Sequence, residues 1–481
     1  MIESNWDGLV GSVPVALLDA LKELPGEALI ETPSVVVGAD YLKHVISGAD
    51  PQFYRRNVEV VVSGRTGADE LRERLISLTA QSVDHRSAGR LGQAVDVAQR
   101  ARRMVNDAER NEVGALRETL PHLTLQWARS FDQADRSQAL REYEESFTLA
   151  RLTGQPNLAR RAAGSLAWMY ANSGSAESAR GWLNRSHRLG AEEPRYDISR
   201  HLAAGLLSHY LLEPSSRSRV MQVQHPALLH GEYWAAALWL QAMDARDAGE
   251  AILVQQAIER AAASRPRGVV MHGANRRYLT GARWRVGLLL GTPIGSLSTH
   301  EFESSSSGEL ALESAYRRGA FHEALKLKPH DWQIDAPRQR ASALLISAAC
   351  RLRLGRDKSA VHDFAQADAI IEHQGLFSLY TVLRLEDLRE LGEKSGRTLD
   401  VETMARLTDH RGPAVPVLVD LTPRESQLMH LLTTNKSNHD IAAELFITAN
   451  TLKSISRRLY RKLEIHSREE AADIARRLGL D

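Results

Sequence analysis

The stretch ANTLKSISRRLYRKL, residues 449–463, decides how the rest of the chain is read. At about 100° per residue, Leu452, Ile455, Ser456, Leu459 and Leu463 fall on one arc of a helix. Lys453, Ser454, Arg457, Arg458, Arg461 and Lys462 fall on the opposite arc, which therefore carries five cations and no acidic side chain. A charge run is ordinarily no more than a solvated face. Here the apolar back predicts that the helix sits against its own domain, and the all-basic front predicts an anionic partner.

The flanking residues complete a motif. Thr422-Pro423-Arg424-Glu425 has the form of a capping box with proline at the first helical position, opening a helix through Leu428, Met429, Leu431 and Leu432. Asn435 suits a left-handed stop. Ser437-Asn438-His439-Asp440 starts a second, short helix with Ile441, Ala442 and Leu445 turned inward. Phe446 and Ile447 make a brief connection, and Thr448 caps the basic helix. Ser467-Arg468-Glu469-Glu470 is a further box, opening a helix through Ala471, Ala472, Ile474, Ala475 and Leu478. Two helices joined by a short turn, the second one basic, followed by a closing helix, make a helix-turn-helix module.

On these residues, over 421–479, the chain resembles the LuxR-type, or GerE-type, helix-turn-helix of bacterial transcription regulators. The resemblance implies that the basic helix enters the major groove of double-stranded promoter DNA. It implies that Lys453 reaches the groove floor, that Ser454 and Arg457 contact bases and phosphates, that Thr451 contacts phosphate, and that the last helix makes a dimer contact. With the cap Thr448 and the remaining cations Arg458, Arg461 and Lys462, these are the candidate DNA-binding residues. RNA polymerase is then an expected partner, and a homodimer on DNA the expected assembly. A second reading, an interaction adaptor whose C-terminal module only dimerises, rests on Ser456 and Glu464, which depart from the family pattern.

Charge is uninformative globally and informative locally. Of the chain's 61 Lys and Arg and 60 Asp and Glu, 10 and 8 lie from Leu421 onward, leaving 51 and 52 ahead of it. The positive potential thus belongs to one helix rather than to the large N-terminal part. The single cysteine, Cys350, excludes an internal disulfide, fits a reducing cytoplasm, and reads as a packing residue in an apolar helical run. The N-terminus lacks the pattern of a signal peptide, and no apolar run reaches the ~20 residues of a membrane span. A soluble cytoplasmic protein is expected.

A chain of 481 residues exceeds one compact core. Its first four hundred residues read as helix after helix, with strand character only at Val58–Val62. A repeated set of offsets appears: Gly174, Ala179, Leu183, Ser186; Gly355, Ala360, Phe364, Ala367; Gly89, Ala94, Ala98, Ala101; and Gly319, Ala324, with a weaker copy at Ala139, Tyr143, Ser146. Two helices that cross closely need a small residue at the crossing, and the turn joining them needs one tolerant of positive φ. The pattern is similar to tetratricopeptide repeats, although spacings of 45 (94 to 139), 40 (139 to 179) and 36 (324 to 360) exceed the usual ~34. Segments Gly291 to Gly308 and Asp409 to Asp420 read as an exposed loop and a linker.

The expected fold is therefore all-α: a tetratricopeptide-like helical-repeat solenoid over 1–408, a linker over 409–420, and a four-helix LuxR-type module over 421–481. Solenoids present concave surfaces, so an effector or partner protein is expected on the array. Tyr233, Trp234 and Trp239 could line a groove there, against the plainer reading of interhelix core. Gly-Lys does not occur and no two glycines stand two apart, which removes phosphate-cradling loops, and no metalloprotease, CxxC or GxSxG motif is present. His209, His225 and His230 read as surface or packing residues. No enzymatic activity, cofactor or metal is expected.

Overall fold

A closely packed helix pair needs its small residues at the crossing, and that is where this chain places them. The computed structural model describes residues 14–23, 67–132, 136–190, 197–213, 232–291, 307–327, 336–397, 401–411, 423–434, 436–463 and 467–477. Among the described residues every regular element is helical and none is a strand. Val58–Val62, residues 292–306 of the expected loop and 412–420 of the expected linker lie outside the described residues. The chain divides into two compact units, one of residues 1–208, 215–240 and 258–279, the other of 209–214, 241–257 and 280–481.

In the first unit α1 (Ala68–Ser87) packs on α2 (Leu91–Asp107), α3 (Leu120–Phe131) on α4 (Arg136–Leu152), and α5 (Pro156–Ser173) on both α4 and α6 (Ala176–His187). Ala94, Ala98 and Ala101 on α2, Ala139 on α4 and Ala179 on α6 are buried completely, so neighbouring backbones approach closely. Between the crossings Leu75, Trp127, Phe131, Tyr143 and Leu166 fill the core. Two crossing positions carry serine, and each hydroxyl is satisfied: Ser146 donates to the Pro121 carbonyl (2.7 Å) and Ser186 to that of Arg160 (3.1 Å). Trp127 donates its indole N–H to the Thr79 hydroxyl at 2.8 Å.

Glycine is obligatory at one turn for a second reason. Gly89, at φ +76°, joins α1 to α2, and a β-carbon there would stand 2.1 Å from the carbonyl carbon of Gly268. The turn lies directly against the start of helix Arg267–Met271, so its backbone is also a packing surface. Two buried arginines of this unit meet carboxylates. Arg160 meets Asp197 at 3.0 Å, both almost without exposure. Arg86 donates to Glu232 (2.8 Å), the Ser130 hydroxyl (2.7 Å) and the Gln126 carbonyl (3.0 Å).

The second unit repeats the arrangement with α7 (Ser307–Arg317) on α8 (Phe321–Lys326), α9 (Pro337–Arg353) on α10 (Asp357–Gln374), and α11 (Leu385–Ser395) against both of the latter. Ala324, Ala360, Phe364 and Ala367 are fully buried at the predicted offsets. Cys350 is buried on α9, and burial pushes its thiol up to about 12, so it stays protonated. Tyr316 donates its hydroxyl to Asp387, which Arg353 approaches at 2.5 Å. A helix over Val401–Arg411 occupies the first residues of the expected linker, 409–411.

Candidate nucleic-acid interface

Four helices build the C-terminal module: α12 (Pro423–Leu432), α13 (Asn438–Glu444), α14 (Ala449–Leu463) and α15 (Arg468–Arg477). Its core is its own: Leu428, Met429, Leu431 and Leu432 from α12, Ile441 and Ala442 from α13, Leu452 and Leu459 from α14, and Ala471 from α15, with Leu445 beside them. Ile455 and Tyr460 pack against this cluster half-buried, and Ser456 is half-buried too. The apolar arc read from the sequence is thus the arc that faces the module.

Caps set where each helix begins. Ser437 and Asp440 form a reciprocal box: the Asp440 N–H donates to the Ser437 hydroxyl oxygen (3.2 Å) and the Ser437 N–H to the Asp440 carboxylate (3.2 Å). The Ser437 hydroxyl also donates to that carboxylate at 2.6 Å, and these bonds hold the Asp440 carboxyl below its ordinary value. Thr448 accepts from the Thr451 N–H (3.2 Å), with the two hydroxyls 2.9 Å apart. Ser467 accepts from the Glu470 N–H at 3.1 Å.

On the other side of α14, Thr451, Lys453, Ser454, Arg457 and Arg458 are exposed, as is Thr448 at its start. Arg461 and Lys462 belong to the last turn of the helix, and their side chains lie outside the described residues, as does the expected stop Asn435. The structure therefore brings six of the eight candidate residues together on one exposed end and face of a single helix. Lys453 and Arg457, one turn apart, present their charge to solvent, and among the described residues neither has a carboxylate partner.

Arg458 differs from its neighbours. Its Nε stands 3.4 Å from Glu425, a residue of α12 only 2% exposed. The spacing from Thr422 assigns Glu425 to a capping box. Thr422 lies outside the described residues, and the burial of Glu425 beside Arg458 makes it a tie between α12 and α14. Two more arginines brace the module in ways the sequence pattern does not single out. Arg424 donates to the Leu445 carbonyl at the end of α13. Arg468 donates to the carbonyls of Leu432 (3.3 Å) and Thr434 (2.7 Å) at the end of α12. Helix ends carry carbonyls without intrahelical partners, so a cation there both bonds and neutralises. A sequence signal existed for neither, since the partner is a backbone atom brought close by the fold.

Residues 419–475 match the luxR family of bacterial regulatory proteins, the GerE family. The C-terminal module is a LuxR-family helix-turn-helix domain. Proteins similar to this chain include HTH-type transcriptional regulator MalT of Vibrio cholerae, 27% identical over 165 residues, which covers 28% of this chain and 18% of that protein. MalT of two Klebsiella pneumoniae strains is 35% identical over 97 residues, 20% of this chain and 10% of those proteins. The chain thus spans less than a fifth of the length of the curated relatives it matches.

The aromatic residues of the first unit fall mainly into its core. Trp234 and Trp239 are buried; Trp239 packs on Trp168 (ring centroids 6.5 Å apart) and on Tyr278 (5.6 Å). Tyr233 lines a narrow cleft with Arg129, Asp132, Trp168, Glu232 and Tyr278. Burial pushes the Asp132 carboxyl up to about 6, against the pull of Arg277 and Arg136. His209 is buried 3.9 Å from Asp244, while His225 and His230 lie outside the described residues. Among the described residues no group of His, Cys, Asp and Glu gathers as a metal site, and no helix is long and apolar enough to cross a membrane.

Proposed function

We propose that the chain is a DNA-binding transcription regulator in which α14 reads promoter DNA through the major groove and the N-terminal helical array governs when it does so. The observation that carries this reading is the two-sidedness of α14: Leu452 and Leu459 are buried in the module core while Lys453, Ser454 and Arg457 stand exposed on the other side. A helix held this way offers cations and hydrogen-bond donors in a shape that fits a groove ~12 Å wide. The LuxR-family match and the relatives named as transcriptional regulators support the same reading.

In it, Lys453, Ser454 and Arg457 address base edges, and Thr448, Thr451, Arg461 and Lys462 address phosphates and set the register. Arg458 flanks the same face while holding Glu425. One module covers few base pairs, so a homodimer on half-sites about one DNA turn apart is the expected complex. The array over 1–408, joined through 409–420, would take an effector or partner protein, and RNA polymerase is the machinery acted upon. Duplexes enriched by the full chain from a random library supply the test. Lys453→Ala weakens binding to them by about 1–3 kcal/mol, and wild-type affinity falls with salt along a log–log slope of roughly −2 per protomer if Arg461 and Lys462 alone neutralise phosphates, and roughly −4 to −5 if all five cations of the helix do. An unchanged footprint in the Lys453 variant, or a slope near zero, refutes the reading.

A further inference from the structure

Several helices of this chain end in the same way. The N–H of the first or second residue past the helix bonds back three residues, and the next N–H bonds back five. The pairs are Gly89 to Arg86 with Arg90 to His85, Gly174 to Ala171 with Ser175 to Tyr170, Gly319 to Tyr316 with Ala320 to Ala315, Gly355 to Leu352 with Arg356 to Arg351, and Gly396 to Glu393 with Arg397 to Gly392. Each puts a glycine in the left-handed region, where this closure requires its residue to be. Helix α13 closes identically, Phe446 to Ala443 (3.0 Å) and Ile447 to Ala442 (2.9 Å), but with phenylalanine at the glycine position, φ +53°.

A β-carbon is sterically disfavoured there. Leu212, the other described non-glycine residue at positive φ (+56°), is 1% exposed and gains burial in return. Phe446 is 94% exposed. It therefore combines an unfavourable backbone with an apolar ring in water and recovers neither from this chain. A local rule broken without an internal return points to a contact outside the molecule. Its place indicates which one. Leu445 on one side is buried and Ile447 on the other half-buried in the module core, so Phe446 is turned outward two residues before Thr448, the cap of α14. It is continuous in the chain with the exposed Thr448, Thr451, Lys453 and Ser454. In helix-turn-helix docking the N-terminal end of the second helix is the end that meets base edges.

We infer that Phe446 is an apolar DNA contact of the module, its ring lying on the hydrocarbon surface of one strand where that strand borders the groove. The inference rests on the DNA-reading function proposed above. Two hydrocarbon surfaces are available there, the 5-methyl group of a thymine and the face of a deoxyribose. Either contact adds affinity without neutralising a phosphate.

The test uses the full chain, wild type, Phe446→Gly and Phe446→Leu, on duplexes enriched by the wild type from a random library. Phe446→Gly weakens binding about tenfold at every salt concentration, leaving the log–log slope unchanged because no counterion is involved. Its thermal midpoint does not fall, since glycine suits the turn, and Phe446→Leu retains most of the affinity. If uracil in place of thymine weakens wild type more than Phe446→Gly, the partner is the methyl group; if both respond equally, it is the sugar. Wild-type affinity in Phe446→Gly overturns the inference, as does a loss of stability that accounts for the weaker binding. A variant that binds normally but alters transcription overturns it in favour of a protein contact. Failure of the DNA reading itself looks different: the wild type enriches no sequence, and Lys453→Ala changes nothing.

Discussion

Asp132 shows how far a single environment can move a single group. It ends α3 in the cleft beside Tyr233, and burial holds its carboxyl at about 6 against 3.8 in an unfolded chain. Arg277, Arg136 and Arg86 pull the other way, and Glu232 adds to the rise. Between those two values the folded protein keeps a proton that the unfolded chain releases. The stability this group allows is therefore greatest below pH ~4 and falls as pH rises to ~6. Asp132→Asn removes the fall, so across that window the variant gains on wild type by on the order of 2–3 kcal/mol; denaturation midpoints at pH 4 to 7 that stay parallel would contradict this. Arg458 makes the complementary case. Its cationic face was legible from helical periodicity, as for Lys453 and Arg457, but its tie to Glu425 was not, because only the approach of α12 to α14 creates it. Arg458→Ala should lower the module's stability by about 1 kcal/mol while leaving base preference intact, readable by melting the variant and comparing its enriched sequences with those of wild type.

At the scale of elements, the sequence spoke clearly wherever a local rule sets the outcome. The basic helix occupies 449–463 as its periodicity predicts, and the caps Ser437, Thr448 and Ser467 each bond the N–H three residues on. Glycine-to-alanine offsets read as helix crossings have their glycines at positive φ and their alanines buried. What stayed illegible depends on contacts distant in sequence: the seating of Gly89 on Gly268, the pairing of Arg160 with Asp197, and the bracing of helix ends by Arg424 and Arg468. The Ser437 box is the most exposed of these local devices to a direct check. Removing its hydroxyl leaves the Asp440 N–H without its acceptor and takes from the carboxylate one of its two bonds to Ser437. Ser437→Ala is expected to cost the module about 1 kcal/mol, measured as a lower urea midpoint, with the same loss at low and high salt because the main bonds are to backbone.

Across the molecule, the apolar clusters of the N-terminal helices and of the C-terminal module, drawn from the described residues, stand on separate stretches of chain. One spans α1 to α5 of the first unit; the other is confined to α12 to α15 and the turns between them. No residue is common to both, so each should lose its order on its own account rather than in a single transition. Leu459 makes the point testable. It is fully buried at the centre of α14, with its side chain on the arc opposite the exposed cations. Leu459→Ala removes buried methyl groups and leaves a cavity, a change that costs about 2–5 kcal/mol, which rivals the stability expected of a ~60-residue domain. Hydrogen exchange should then rise throughout 423–477 while the amides of α1 to α5 keep wild-type protection. Asp197→Ala should do the reverse, opening the first unit by leaving the buried Arg160 without its carboxylate, a change that costs about 3–5 kcal/mol, while protection in α14 is retained. If either substitution deprotects both regions together, the clusters are one cooperative core, and the module that carries Lys453 and Arg457 is not stabilised independently of the array.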